Sequence, residues 1–220
     1  MESGSAQTPR SGQWLLVCAG VAAILVVTAI TGTRFVRGML RPRSCCAPVP
    51  EAKANLKALY TSERAFLQEK DLYSEDMRQV GFEPELGNRY TFFAAPRGRV
   101  LRRQERSIPG APLGTPGPSF QIVAADPEAQ DFRGTYETFE ETGCPLTLAA
   151  LPDGTRAGLG VTRMPGGEPD TSVFIGAAVA NIDDDPMPDC WSIATVERVT
   201  VDGYRIAPGE PYNEFNDVER

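Results

Sequence analysis

Residues 14–32, Trp14 through Gly32, form an uncharged run of 19 residues made of leucine, valine, isoleucine, alanine, two threonines and one cysteine. Nineteen helical residues span roughly 28 Å, close to the hydrocarbon thickness of a bilayer. A buried core helix or a cleaved secretory signal would also be apolar. A core helix of this length rarely lacks a polar face, however, and the exit Ile30-Thr31-Gly32-Thr33-Arg34 lacks the small-x-small pattern of a cleavage site. The run predicts a retained transmembrane helix over 14–33, after a short segment 1–13. Trp14 then sits at one headgroup layer, with Arg34 and Arg37 at the other.

Charge divides the chain in the same way. Residues 1–43 carry five arginines against Glu2, and residues 44–220 carry 17 basic and 28 acidic side chains. The net charge of −7 argues against nucleic-acid binding, which clustered lysine and arginine must carry. The chain has no histidine, which removes Ser-His and Cys-His nucleophile pairs, His-containing zinc sites and an imidazole base. Adjacent carboxylates such as Glu140-Glu141 have no partner that suggests acid/base work. An enzyme built on carboxylates alone stays possible on composition, and it would have to show itself in some other way.

Pro42, Pro48 and Pro50 interrupt the region after the apolar run, so residues 34–50 read as a basic, proline-rich stalk. A soluble domain is expected over 51–220. Glu51–Lys70 is its best helix, with Leu56, Leu59, Tyr60, Phe66 and Leu67 at three- and four-residue spacing and Ala52 and Glu63 extending the same side. Such a stripe needs a cover, most simply a sheet. Strands are expected at 89–94, 119–125, 172–180 and 190–196, with a last hairpin over 200–206 turning at Asp202-Gly203. The segments between are rich in Pro and Gly, and no crossover helices separate the strands. The fold class is α+β: an amphipathic helix packed on an antiparallel sheet.

The segments Glu51-Ala-Lys-Ala-Asn-Leu-Lys-Ala-Leu-Tyr-Thr-Ser-Glu-Arg-Ala-Phe-Leu-Gln-Glu-Lys-Asp-Leu-Tyr-Ser74, Val80-Gly-Phe-Glu-Pro-Glu-Leu-Gly-Asn-Arg-Tyr-Thr-Phe-Phe93 and Val179-Ala-Asn-Ile-Asp-Asp-Asp-Pro-Met-Pro-Asp-Cys-Trp-Ser-Ile193 resemble type IV pilins of the myxobacterial kind. The tail Pro211-Tyr-Asn-Glu-Phe-Asn-Asp-Val218 resembles the same group, and the middle diverges. The resemblance implies a ladle-shaped subunit: an N-terminal helix crosses the inner membrane, and its second half lies on an antiparallel sheet. It also implies assembly by an ATPase-driven machine, after a prepilin peptidase has removed a leader. The start departs from the family pattern. After Gly12 comes Gln13-Trp-Leu-Leu-Val17, with Val17 where a pilin places a glutamate, and the stalk interrupts the long helix.

On that basis the expected function is a minor or accessory component of a type IV pilus or type II secretion-like system. The alternatives are a processed filament subunit and a solitary ligand-binding module. The expected partners are the lipid bilayer, other pilin-like subunits and the assembly machinery. The soluble domain would be periplasmic or at the cell surface, although the arginines after the apolar run, read by the positive-inside rule, point the other way.

In an oxidising compartment Cys144 and Cys190 would form a disulfide, with two separate buried thiols as the alternative. Asp183, Asp185 and Asp189 lie in one loop where oxygen ligands could wrap Ca²⁺, a site that related pilins sometimes hold; a solvated acidic turn is the plainer reading. Arg97, Arg99, Arg102, Arg103 and Arg106 are read first as a solvated face and second as a contact for lipid, polysaccharide or an acidic neighbour. Trp191 is read as core. Cys45 and Cys46 are exposed in the stalk, and Cys18 packs within the apolar run.

Overall fold

The protein is seen here as a computed structural model that describes residues 48–106, 118–129, 132, 134–163, 172–182 and 187–215. The apolar run, with Trp14, Cys18, Arg34 and Arg37, lies outside these residues, as do Cys45 and Cys46. Among the described residues no helix is long and apolar enough to cross a membrane.

Helix α1 spans Pro48–Lys70 and begins three residues before the expected start. The sequence expectation keeps Pro48 in the stalk as a helix breaker, although Pro50 suits a helix start. A first turn leaves its N–H groups unbonded, however, so Pro48 and Pro50 lose nothing there. The helix closes where Asp71 adopts a left-handed backbone (φ 58°) and its N–H returns to the Leu67 carbonyl. Ala52, Leu56, Leu59, Glu63 and Phe66 recur at alternating four- and three-residue spacing and are all buried. Tyr60 and Leu67 flank them, partly buried.

Helix α1 lies on a sheet built from β1 (Thr91–Phe93), β2 (Val100–Leu101), β3 (Ile122–Val123), β6 (Gly160–Thr162), β7 (Val173–Ala180), β8 (Asp189–Ala194) and β11 (Tyr212–Phe215). The strand order is β11-β8-β7-β1-β3-β2, and β6 pairs with β7 beyond the end of β1. The pairs are antiparallel except β2–β3, where Val100 faces Ile122 and Leu101 faces Val123 in parallel. That departure from an all-antiparallel sheet needs a long return path, which residues 102–121 supply together with the short helix α2 (Arg103–Arg106).

Strands β7 and β8 are buried along their whole lengths because both faces are covered. Phe174, Ala178, Trp191 and Ile193 join α1 in one core. On the other face, Ala177, Val179 and Cys190 meet Tyr136, Phe139 and Cys144, and Val173, Ile175 and Ala194 meet Ala149, Leu151 and Ala157. This second layer comes from residues 134–159, including the two-stranded β4 (Ala149–Ala150) and β5 (Arg156–Ala157). Gly176 leaves room for the helix to pack closely, since a β-carbon there would come within 2.8 Å of Leu59 Cδ2. After β8 the chain makes a separate hairpin, β9 (Arg198–Val199) and β10 (Arg205–Ile206), and returns as edge strand β11.

Candidate functional site

The C-terminal half of the sheet is tied together by buried polar groups. Asp189 opens β8 and has no exposed surface. The Tyr90 hydroxyl (2.6 Å) and Trp191 Nε1 (2.8 Å) donate to its Oδ2, and Asn213 Nδ2 donates to Oδ1 at 3.3 Å. Burial raises the Asp189 carboxyl above its ordinary range, and these three donors pull it partly back. A calcium ion at Asp189 would therefore compete with a full set of protein donors. Asp183 and Asp185 lie outside the described residues, and among those described no group of three or more acidic or cysteine side chains is placed to hold a metal ion.

Three residues on, Ser192 belongs to a second network. The Arg198 and Glu214 side chains are enclosed and paired at 2.9 Å. The Ser192 hydroxyl also donates to Glu214 Oε1, and the Thr147 N–H and hydroxyl both donate to Oε2. One carboxylate thus joins β11, β8, β9 and the strand-flanking loop before β4. The sequence does not reveal this pair. Its members stand 16 positions apart among exposed-looking neighbours.

A disulfide joins Cys144 to Cys190, with Cα atoms 6.0 Å apart, and fastens the outer layer to β8. Reduction, or a Cys144→Ser/Cys190→Ser double variant, is expected to lower folding stability by about 4 kcal/mol for a loop of this length. Denaturation of the detergent-solubilised chain with and without reductant measures it. A shift of less than a quarter of that would show that the outer layer holds without the bridge.

The arginine cluster is mostly paired within the chain. Arg97 bonds Glu140, Arg99 bonds Glu105, Arg102 bonds Glu137, and Arg103 bonds both buried Asp126 and Glu128. The pairs of Arg97 and Arg102 tie the segments flanking β2 to the outer layer, Arg103 ties α2 to the chain after β3, and Glu140 serves as an ion-pair partner. Trp191 is core, 5 % exposed, and the Lys53 ammonium lies 4.9 Å from its ring centroid.

Glu63 occupies the middle of the apolar seam of α1 with no exposed surface. Its Oε2 accepts the Ser74 N–H at 3.2 Å, while Oε1 is buried without a partner. Burial is the main cause that pushes this carboxyl up to about 8; the Ser74 N–H opposes the rise and the negative Glu75 adds to it.

A helix lying on a largely antiparallel sheet, with a disulfide and a buried network fixing the C-terminal strand, defines a pilin-type head. The profile of the family described as type IV pilin PilA matches residues 46–189. The "Type IV major pilin protein PilA" of Myxococcus xanthus (strain DK1622) is 32 % identical over 207 residues, which cover 90 % of this chain and 87 % of the relative. The chain belongs to the type IV pilin PilA family. The family is structural and non-enzymatic.

Proposed function

We propose that this chain is a filament subunit of a type IV pilus, anchored by its N-terminal apolar run before assembly and exposed at the cell surface afterwards. The expectation of an accessory component rested on the altered start and the proline-interrupted stalk. The carrying observation on the other side is the extent of the similarity to a major pilin. A match covering nine-tenths of the chain must begin within the first tenth or so, and therefore reaches into residues 14–33. Helix α1 also starts inside the proline-rich segment, which leaves a shorter interruption between an apolar helix and the head. The partners under this reading are further copies of the chain, the bilayer and the assembly machinery.

Filaments sheared from cells that express the chain are expected to contain it as their main protein, with a mature N-terminus near Gln13 by mass spectrometry. Retention in the membrane fraction with an intact Met1, and absence from sheared fibres, would return the accessory reading.

A further inference from the structure

The β9–β10 hairpin carries apolar surface that the head does not use. Val199 is 52 % exposed, Tyr204 is 55 % exposed and Val201 at the tip is fully exposed. The turn closes through Gly203 N–H to Thr200 O and Thr200 N–H to Tyr204 O, with Gly203 in the left-handed region (φ 81°). Polar residues would serve such a turn, and a β-branched valine at its tip adds nothing to folding. The hairpin is nevertheless held in place: Tyr204 stacks on Tyr212 of β11 with ring centroids 6.2 Å apart, and Arg205 is paired with Glu197. Asp202, beside Val201, is exposed and has no cationic partner among the described residues.

A complementary surface lies on the outward side of α1. Lys53, Ala54, Lys57 and Ala58 are exposed at neighbouring positions of one helical face. Neither lysine has a carboxylate partner among the described residues, whereas four arginines of the β2–α2 region are all paired. Ala54 and Ala58 form a small-residue row beside the row of the Lys53 and Lys57 stems, low enough for a valine and the edge of a tyrosine ring to approach. Within one chain the surfaces are separated. Lys53 lies over Trp191, in the half of β8 that begins at Asp189, whereas the hairpin follows the other end of β8 at Ala194.

Building on the filament reading above, we infer that the β9–β10 hairpin docks on the outward α1 face of a second copy of this chain, with Val201 and Tyr204 covering Ala54 and Ala58 and Asp202 meeting Lys53 and Lys57. Two different patches that fit each other make a heterologous contact, which propagates into an open, helical assembly rather than closing as a dimer.

The test uses the full chain expressed in a piliated host, with sheared-filament yield as the readout. Asp202→Lys and Lys53→Glu/Lys57→Glu are each expected to lower the yield about tenfold, the scale of one lost contact per interface. Combining the three changes is expected to restore most of it. All positions are exposed, so Asp202→Lys should keep the denaturation midpoint of the unaltered chain, and Lys53→Glu/Lys57→Glu should lower it only by the small loss of the Lys53 contact with the Trp191 ring. Full yields from the hairpin and helix variants would overturn the docking and leave the filament reading standing. Losses that the combination does not repair would overturn the charge pairing. An unaltered chain that never enters filaments would overturn the filament reading itself, and the docking with it.

Discussion

Raising the pH from 5 to 9 is expected to cost the folded head on the order of 4 kcal/mol, and Glu63→Gln is expected to remove most of that dependence. In the unfolded chain the Glu63 carboxyl ionises near its ordinary value of 4.5, while in the core it stays protonated until about 8. Between those values the folded state binds a proton that the unfolded state has released. Stability therefore falls as pH rises through the window and levels off above it. The groups facing Glu63 set the size of the effect. The Ser74 N–H donates to the ionised form, Glu75 repels it, and Oε1 has no donor at all. Glu51 and Asp189, also raised by burial, add a fall in stability of the same sign as pH rises above their ordinary values. Asp126 is lowered; it contributes stability above the ordinary carboxylate range that is lost only as pH falls below it. Denaturant midpoints of the detergent-solubilised chain at pH 5, 7 and 9 measure the slope. A Glu63→Gln variant that tracks the parent across the range would show that Glu63 ionises in the core without cost.

What could be read from the sequence follows from which forces act locally. The helix and the strands β1, β3, β7 and β8 were legible because apolar periodicity and β-branched runs report burial directly. The expected hairpin at Asp202-Gly203 forms around that turn, though its strands are only two residues long each. Glu63 was visible on the apolar side of the helix, but spacing alone does not tell whether a carboxylate at a seam reaches water or is enclosed. Here the segment after the helix closes over it, a tertiary event set by Tyr73 and Met77 being buried beyond the helix end. The outer layer over 134–159 was not legible. Its strands have two residues each, and apart from the Cys144–Cys190 bridge, which is expected from the sequence, its hold on the sheet comes from Phe139 against Phe93 and Thr147 on Glu214, contacts between residues far apart in sequence. Of the arginines after β1, Arg97 and Arg102 meet carboxylates of the outer layer far along the chain, in pairs that stay about half-exposed or more, as the solvated-face reading has them.

Replacing Glu214 with alanine is expected to destabilise the head by roughly 3–5 kcal/mol, because it strands a guanidinium that has no route to water. Arg198 is 1 % exposed, and its Nε and Nη2 already have no partner, so its charge rests on Nη1 bonded to Glu214, Ser192 and the Thr147 carbonyl. Burial lowers the Arg198 pKa, and Glu214 is the main force opposing that. Removing Glu214 also leaves the Thr147 N–H and hydroxyl and the Ser192 hydroxyl without their acceptor. An Arg198→Met/Glu214→Met double variant is expected to recover much of the loss, since it removes both buried charges while keeping apolar volume. Denaturation midpoints of Arg198→Met, Glu214→Met and the double variant, beside the parent, form the cycle that isolates the pair. If the double variant is as unstable as Glu214→Ala, the carboxylate matters as the acceptor that joins Thr147 and Ser192. If it approaches the parent, the cost lies in the unpaired charge. Glu214 stands two places after Tyr212 in β11, and the Tyr212 ring is the one on which Tyr204 of the docking hairpin stacks.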